Sequence, residues 1–340
     1  MRVAPFDGSA REWDGFVQSQ RGWSHFHLAG WRQVVENVFG HECLYAAARD
    51  AQSGALRAVL PLVRVRSVLF GHYLVSMPFV NYGGPLGDDD GVRALAAWAV
   101  QVADASDVKL LELRSRCALP VPLAASHRKI TVTLPLPTES EALWRSLPAK
   151  VRSQIRRPQK EGVTVRFGAD QVAPFHDVFS VHMRDLGTPA QPRRLFEAIV
   201  ETFPDDVHVG CAYLHGRPIA CGFGIRWGDE LEMTWASALR AHKQVAANML
   251  VYWSLMERAI EAGVRTFNFG RCTPGGGTHR FKQQWGGSDE PLWWYTHARG
   301  GVATTPSPDA GPYALGARLW RRLPVAAARA LGPSIVRCIP

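Results

Sequence analysis

The sequence predicts an α/β protein built from two copies of one module. Three observations lead to this fold class. The chain has 340 residues, which is roughly two domains' worth. Hydrophobic residues make up 46% of it and charged residues 20%, a balance that supplies a core and excludes a wholly disordered, collagen-like or coiled-coil chain. One order of strand-like and helix-like segments then occurs twice, about 155 residues apart.

The first copy begins with two strands, Leu44–Arg49 and Leu56–Arg66, which are joined by a turn and followed by a third strand, Tyr73–Val80. Alternation of apolar and polar residues in these segments predicts half-buried strands. A turn with three aspartates then opens a helix over about Val92–Asp104, and Val108–Leu113 follows as a further strand. This order predicts one α/β module.

The second copy repeats that order. Its strands are Val207–Tyr213, Pro218–Arg226 and Leu231–Ser237, its helix is Met249–Ala262, and Val264–Phe269 is the closing strand. The helix is the clearest element in the chain, because its apolar residues recur three and four positions apart. The repeat predicts that both modules share one fold.

The ends of this second helix carry cap residues. Asn248 is a good N-cap, and Gly263 stands where a left-handed C-cap belongs. A helix that starts after a strand and a short loop directs its backbone N–H groups at an anion. We therefore expect Asn248 to lie at the cofactor-binding end of the helix.

The composition limits the compartment and the partners. The chain carries a net charge of +9, which favours an anionic partner without choosing between nucleic acid, a membrane surface and phosphorylated small molecules. DNA is disfavoured, because the positive charge is concentrated in one short segment and the C-terminal tail. No apolar run has the length of a bilayer span, so we expect a cytoplasmic protein that is soluble or peripheral to the membrane. The 6 scattered cysteines favour reduced thiols, and no metal site is predicted.

Several longer motifs carry a family resemblance. The chain resembles the FemAB-like branch of the GNAT acyltransferase superfamily, and most closely the group encoded with exosortase (PEP-CTERM) exopolysaccharide systems. The resemblance implies two tandem GNAT-like modules with mixed central sheets at residues 1–130 and 131–300, followed by a basic amphipathic tail at 301–340. The matching segments are Met77–Gly84, Leu111–Arg116, Lys150–Val163, Met183–Pro189, Phe267–Arg271 and Gly277–Gly286.

The same resemblance implies an N-acyltransferase acting on an amino group of a cell-envelope or exopolysaccharide precursor, with no tightly bound cofactor. Acyl-CoA or aminoacyl-tRNA would be the co-substrate, and the acceptor an anionic glycan, a nucleotide-sugar or a lipid-linked precursor. The chain lacks the long helical arm that classical Fem proteins place beside tRNA, and the loop Arg240–Ala247 lacks the Gly-x-Gly/Ala of acyl-CoA enzymes. Two alternatives stay open: a tRNA-dependent peptidoglycan-bridge transferase, and a non-catalytic adaptor in a polysaccharide-export assembly.

Two residues are candidate catalytic groups. Lys282 follows Phe281 in the segment that resembles the Fem Phe-Lys motif, where the resemblance implies a lysine that stabilises the oxyanion of acyl transfer. Asp185, in the segment MRDLGTP, is either a general base or the partner that fixes Arg184. No Ser-elbow, Walker or zincin motif is present, so covalent, phosphoryl-transfer and zinc chemistry lack support.

Substrate contacts are predicted around the second module's last strand. Arg271 could hold a phosphate or carboxylate or form a structural salt bridge. Gly276, Gly277 and Thr278 allow close backbone approach and could form an anion nest, although a flexible turn has the same pattern. Two aromatic residues four apart, Phe281 and Trp285, indicate either core packing or substrate stacking.

Further substrate contacts are predicted away from that strand. Lys150, Arg152 and Arg156 lie on a basic segment that is either an anion clamp or a solvated helix face, with Pro158 ending or kinking the helix. We also expect Arg184 and Thr188 in a loop beside the second site, and we expect Tyr82 to contact substrate from the first module. The substrate contacts predicted outside that strand are thus Lys150, Arg152, Arg156, Arg184, Thr188 and Tyr82.

The tail beyond Asp309 contains five arginines and no acidic residue. Its leucines and a tryptophan supply apolar surface, and Pro324 is expected to break the helix. Basic residues combined with Trp and Leu suit an interfacial segment on anionic lipid. A C-terminal helix docked on the body of the protein is the alternative.

Overall fold

The computed structural model describes residues 1–67, 70–299 and 312–339, within which the chain forms strands β1–β15 and helices α1–α11. In chain order these are β1 (Arg2–Pro5), α1 (Ala10–Ser19), α2 (Gly30–Phe39), β2 (Glu42–Arg49), β3 (Leu56–Ser67), β4 (Gly71–Ser76), β5 (Leu86–Gly87), α3 (Asp89–Asp104), β6 (Leu110–Ser115), β7 (Ala124–Ser126), β8 (Ile130–Pro135), α4 (Ser140–Ser146), α5 (Ala149–Lys160), β9 (Thr164–Phe167), α6 (Val172–Leu186), α7 (Arg193–Thr202), β10 (Val207–Leu214), β11 (Arg217–Trp227), β12 (Glu230–Ala238), α8 (Ala247–Glu261), β13 (Thr266–Cys272), α9 (Gly277–Gln283), β14 (Ser288–Pro291), β15 (Trp293–His297), α10 (Pro312–Trp320) and α11 (Val325–Val336).

The chain divides into two compact units. The described residues of the first unit are 1–67, 70–129, 291–299 and 337–339. Those of the second unit are 130–290 and 312–336. The expected module ranges, 1–130 and 131–300, assign β15 to the second module, whereas β15 pairs with β6 and β7 in the first unit.

The sheet of the first unit has the order β1-β2-β3-β4-β6-β15-β7, with β5 paired to β3. Strands β2, β3 and β4 are antiparallel neighbours, and β4 is parallel to β6, with helix α3 connecting them. Apolar residues of α3 pack on this sheet, because its buried positions recur along one face. Those positions include Val92, Leu95, Ala96, Ala99 and Ala103.

The sheet of the second unit has the order β14-β8-β13-β12-β11-β10-β9. Strands β10, β11 and β12 are antiparallel neighbours, and β12 is parallel to β13, with helix α8 connecting them. The succession β9-α6-α7-β10-β11-β12-α8-β13 therefore matches β1-α1-α2-β2-β3-β4-α3-β6 of the first unit. The predicted duplication is confirmed, and both sheets are mixed.

Two predicted element boundaries are wrong. The strand expected over Tyr73–Val80 ends at Ser76, because Met77 and Phe79 have φ values of 53° and 72°, in the left-handed region that breaks a strand. Helix α3 begins three residues earlier than expected, since the Asp88 carboxylate accepts the Gly91 N–H and caps the helix.

Helix α8 confirms one predicted cap and contradicts the other. Gly263 adopts φ +76° just beyond the helix, as a left-handed C-cap requires. The helix begins at Ala247, however, and its cap residue is Ala246, with φ 60°. Asn248 therefore lies inside the first turn and caps nothing. The predicted N-cap is wrong because a 3-10 turn, Arg240–Val245, leads directly into the helix.

The tail forms two helices that pack on α6 in the second unit. Pro324 lies between them, as predicted, and α11 begins at the next residue. The Arg329 guanidinium donates to Ser180 Oγ at 2.7 Å and pairs with Asp177 at 2.9 Å, which fixes α11 against α6. Among the residues that the structure describes, no helix combines the length and the apolar character needed to cross a bilayer.

Candidate functional site

Strands β12 and β13 diverge in the second unit. They pair only over Glu230–Glu232 and Thr266–Asn268, although β12 runs on to Ala238 and β13 to Cys272. Beyond this short register the two strands share no further pairs, which leaves an opening in the hydrogen-bond ladder at their carboxyl ends. The start of α8 follows β12 at the same edge, which is where α/β sheets commonly bind ligands.

A β-bulge shapes the β13 side of this opening. The register of β13 against β8 shifts between Asn268 and Arg271, and Gly270 has φ +71°. The buried Asn268 amide oxygen accepts the Gly270 N–H at 2.8 Å and the Thr131 hydroxyl, while its NH₂ donates to Glu230 at 2.7 Å. These bonds hold the bulge, and bulges of this kind re-aim groups beside active sites.

Lys282 reaches the bulge from α9. Its side chain is only 3% exposed, and Nζ donates to the carbonyl oxygens of Gly270 at 2.5 Å and Arg271 at 3.0 Å. Burial lowers the pKa of Lys282 to about 8, partly offset by the nearby charges of Cys272 and Glu232. An ammonium has three N–H donors. Within the described residues the third has no partner, so a charged donor remains available.

The charge environment of Lys282 includes a carboxylate that the sequence analysis missed. Glu232 is fully buried on β12, in register with Asn268, and its charge raises the pKa of Lys282. Burial of an acid requires a partner or a function. The sequence signal was an acidic residue at an inward position of an otherwise apolar strand. Arg271, half-buried at the end of β13, acts in the opposite direction and lowers the pKa of Lys282.

The first turn of α8 is open to an anion. No side chain caps it, and it contains no acidic residue. Ala246 adopts the left-handed conformation that a glycine commonly supplies. Arg240 and Lys243 are exposed in the preceding 3-10 turn. Uncapped N–H groups beside two cations form an anion-binding arrangement despite the absence of a Gly-x-Gly loop.

The glycine-rich turn uses part of the predicted anion nest for its own hydrogen bonds. The Gly275 N–H donates to His279 Nδ1 at 2.9 Å, and the Gly276 N–H donates to the Thr273 carbonyl at 3.3 Å. Gly276 is instead the N-cap of α9, which begins at Gly277, and Thr278 is exposed. Of the three predicted nest residues, Gly276 therefore uses its N–H group inside the turn, while Gly277 and Thr278 stay predicted substrate contacts.

His279 fixes this turn to strand β14. Its Nδ1 accepts a hydrogen bond, so Nε2 carries the proton of the neutral ring. Nε2 donates to the Asp289 carboxylate, at 2.9 Å from each oxygen. His279 lies one turn before Lys282 on α9. The His279–Asp289 pair therefore fixes α9, the helix that carries Lys282.

The two aromatic candidates pack in the core. Trp285 is 2% exposed and belongs to the core of the second unit, which supports core packing, one of its two predicted roles. Phe281 is half-buried and lies 5.1 Å from the Tyr252 ring, centroid to centroid. Both side chains anchor α9 on α8 and β13, and this packing places Lys282 at the bulge.

The segment MRDLGTP lies at the end of a helix. Helix α6 continues through Arg184 and Asp185 and ends at Gly187, which has φ +82°. The Arg184 Nε donates to Asp185 at 2.7 Å, and its Nη1 donates to the Leu323 carbonyl of the tail at 3.0 Å. Of the two roles predicted for Asp185, the structure supports the partner that fixes Arg184, and Arg184 in turn holds the tail.

Thr188 also belongs to this helix end. Its backbone N–H donates to the Met183 carbonyl at 3.0 Å, which closes the last turn of α6. The predicted substrate loop is therefore a helix cap, and the substrate contacts expected from Arg184 and Thr188 are replaced by contacts that stabilise α6 and the tail.

Tyr82 lies inside the first unit. It is 1% exposed, and its ring lies beneath the Arg116 guanidinium, 5.3 Å from the ring centroid. The ring also lines a small cavity of the first unit, so the predicted substrate contact of Tyr82 stays a prediction. The strand that was expected to run to Val80, just before Tyr82, ends at Ser76.

The basic segment forms helix α5, which continues two residues past Pro158. The Arg152 Nη1 donates to the carbonyls of Leu147 at 2.9 Å and Arg145 at 3.2 Å and so caps α4, while Arg152 also lines an exposed groove along α5. Arg156 is exposed over the Trp144 ring, 5.0 Å from its centroid.

An exposed basic groove runs along the same helix. It has a volume of about 480 Å³, and its walls include Arg156, Arg157 and Lys160. Lys150 is also exposed on α5. The groove therefore keeps cations available after Arg152 is used inside the protein.

Comparison with known proteins agrees with this geometry. Residues 145–283 match the family model of the acetyltransferase (GNAT) domain. No curated protein matches the chain. The crystal structure of FemX superposes with a TM-score of 0.67 at 14% identity, covering 87% of this chain and 97% of FemX.

Two further solved structures share the architecture. L-PGS from Bacillus licheniformis superposes with a TM-score of 0.55 at 12% identity, covering 94% of this chain and 98% of L-PGS. A tandem GNAT protein from the clavulanic acid biosynthesis pathway gives a TM-score of 0.53 at 12% identity, covering 89% and 99%. The chain therefore has the tandem GNAT fold that its motifs predicted.

Proposed function

We propose that the protein is an N-acyltransferase that moves an acyl group from acyl-CoA to an amino group of a cell-envelope or exopolysaccharide precursor. One observation carries the proposal: a buried lysine with an unused N–H donor lies at an opening between diverging strands, where an uncapped helix also begins. The GNAT domain match over residues 145–283 supports a transferase.

The start of α8 would bind the anionic part of the donor. Its free N–H groups and helix dipole favour a pyrophosphate. Arg240 and Lys243 add two exposed positive charges in the turn that precedes the helix. Since no acidic residue lies in the first turn, nothing there opposes a donor that carries several phosphates.

Lys282 and Glu232 would have different roles in the reaction: Lys282 would stabilise the oxyanion, and Glu232 would transfer the proton. The acceptor amine attacks the thioester carbonyl, a C–N bond forms, and the developing oxyanion receives the third N–H of Lys282. The C–S bond then breaks and CoA leaves as a thiol. Glu232 is the buried carboxylate near Lys282 that would take the amine proton and pass it to the leaving sulfur.

The acceptor would be anionic, as expected for a glycan, nucleotide-sugar or lipid-linked precursor. Arg271 lies beside the proposed oxyanion donor, and the exposed cations Lys150 and Arg156 lie on α5. The family resemblance supports an exosortase-linked exopolysaccharide as the source of the amino group. Such precursors are built at the cytoplasmic face of the membrane, where we place the protein.

The alternative donor is aminoacyl-tRNA, whose phosphates the exposed basic face of α5 would bind. Binding to a polyanion weakens steeply with salt, by several decades for many phosphate contacts. Saturable binding of acetyl-CoA or a longer acyl-CoA at about 0.15 M salt would favour the proposal. Binding of charged tRNA alone, lost as salt rises, would replace CoA as the donor.

The decisive variant is Lys282→Met. Loss of one oxyanion donor lowers kcat by about 10²–10³-fold in comparable sites, measured here as thiol release from acyl-CoA with an amino-sugar acceptor. Lys109→Met removes an exposed lysine of the first unit and is the matched control. A folded Lys282→Met protein with full turnover would refute the catalytic role.

A second readout uses cells. Mass spectrometry of envelope glycans from wild-type and knockout strains should reveal one missing acyl or aminoacyl mass. If the Lys282→Met protein is folded and restores that mass and the polysaccharide phenotype, the adaptor alternative stands and the enzyme proposal fails.

A further inference from the structure

The outward face of α10 carries apolar side chains in open solvent. Leu315 and Leu319 are 61% and 58% exposed, the highest values among the large hydrophobic residues of the described chain. They are four positions apart, so they share one face of the helix. Most other large hydrophobic residues are buried, and the next most exposed is Leu331, at 51%.

The opposite face of α10 is fixed to the body of the second unit. A Cβ added at Gly187 would lie 2.7 Å from the Ala317 carbonyl oxygen, so helix and body are in close contact there. The Arg321 guanidinium donates to the Leu186 carbonyl at 3.1 Å. Because each residue turns the helix by about 100°, Leu315 and Leu319 lie roughly opposite Ala317 and point away from the protein.

Two arginines share this outward side. Arg318 and Arg322 are exposed, and neither guanidinium has a hydrogen bond or ion pair with the described residues. Arg184 and Arg329 of the same unit, in contrast, pair with Asp185 and Asp177. The sequence contains no acidic residue after Asp309. The face is therefore apolar and positively charged, with no internal counter-charge.

We propose that this face, defined by Leu315, Arg318, Leu319 and Arg322, binds an anionic phospholipid membrane. The leucines would enter the interface while the arginines contact lipid phosphates. At nine residues, α10 is far too short to cross a bilayer, so it would lie in the plane of the surface. A second copy of the chain is disfavoured, because pairing two such faces would bring four arginines together.

This inference deepens the proposed location at the membrane, and it can fail or succeed independently of acyl transfer, because vesicle binding requires no turnover. The test is co-sedimentation of the full-length protein with phosphatidylcholine vesicles containing or lacking about 30% phosphatidylglycerol. We expect binding to the anionic vesicles only. Each arginine near such a surface contributes about 1 kcal/mol, so Arg318→Gln/Arg322→Gln should lower the partition coefficient about 30-fold.

The matched control is Arg193→Gln/Arg194→Gln, which removes the same charge from α7, where both arginines pair with glutamates. It should bind like wild type. Leu315→Ser/Leu319→Ser should also lose at least about tenfold in binding. Unchanged binding of both α10 variants would overturn the proposal. So would a Leu315→Ser/Leu319→Ser protein that changes oligomeric state by light scattering and still binds vesicles.

Discussion

The two equivalent crossover helices start in opposite electrostatic settings. Helix α3 of the first unit is capped by the Asp88 carboxylate, and Asp89 and Asp90 follow in its first turn. Helix α8 of the second unit has no side-chain cap and no acid in its first turn, and Arg240 and Lys243 precede it. The fold is the same, but only the second helix can accept an anionic ligand.

The neighbouring strands show the same contrast. In the first unit Glu112 and Arg114 form a buried ion pair at 2.7 Å, and the guanidinium lies over the Trp294 ring, 4.6 Å from its centroid. The cavity there holds only about 20 Å³. In the second unit the neutral Asn268 supports a bulge, and Lys282 keeps a free donor. The first unit therefore pairs its buried charges with each other, whereas Lys282 of the second unit keeps one N–H donor unused.

The largest effect should follow from breaking the ion pair of the first unit. Arg114→Met leaves the Glu112 carboxylate, 1% exposed, without its partner. A buried charge stripped of its partner costs about 3–5 kcal/mol, which urea unfolding would measure. Glu112→Gln/Arg114→Met should recover most of that loss. A single variant as stable as wild type would contradict the structural role of this pair.

Lys282 should make the stability of the second unit depend on pH. The pKa of Lys282 is about 8 in the folded protein against 10.5 ordinarily, so between these values the unfolded chain binds the proton and the folded chain does not. Stability relative to Lys282→Met should therefore rise with pH, by about 2 kcal/mol between pH 7 and about 9.5. The full cost of the buried charge applies below pH 8.

The control for this pH effect is Lys109→Met, whose stability difference from wild type should not change over the same range. Urea midpoints at the two pH values provide the measurement. A wild-type protein that loses stability relative to Lys282→Met on going from pH 7 to about 9.5 would show that the lysine is more basic when folded.

A smaller effect should follow from loosening α9. His279→Ala removes the link between Gly275 and Asp289. We expect kcat to fall about tenfold with little change in KM, because a displaced lysine weakens only the transition state. His279→Gln, which can keep both hydrogen bonds, should restore part of the rate. If KM for the donor rises instead, His279 contributes to substrate binding and does not position Lys282.

The smallest effect should come from giving α8 the charge pattern of α3. Asn248→Asp places an acid in the first turn, which stabilises a helix by about 0.3–1 kcal/mol but repels an anionic donor by a similar amount. KM for acyl-CoA should rise about fivefold while the urea midpoint holds or increases. Asp89→Asn/Asp90→Asn in α3 should leave that KM unchanged. An unaltered KM in Asn248→Asp would place the donor elsewhere.

The sequence reveals much of the fold because the modules repeat. The order of strands and helices is visible in alternation and in three-four spacing, and these local patterns survive folding. Lys282 was found by motif resemblance, and its burial at the bulge agrees with that assignment without testing it. Gly263 was found from its position at a helix end. Each of these signals is local.

The misassigned residues depend on distant contacts. The sequence leaves two roles open for Asp185, and the structure favours its pairing with Arg184, which binds a carbonyl 139 residues further along the chain. Arg152 looks like an anion ligand until α4 is placed against it. Glu232 was missed because only the pairing of β12 with β13, together with the position of α9, brings it near Lys282. Spacing along one strand contains none of this information.

The pairing of β15 with the first sheet limits where the protein can be divided into two fragments. Strand β15, which follows the second module in sequence, completes the first sheet beside β6. A fragment that stops at residue 130 would expose the hydrogen-bonding edge of β6, and unprotected edges promote aggregation. Any exchange of halves between such proteins must carry the returning segment with the amino-terminal half, so the gene cannot be divided at a single junction.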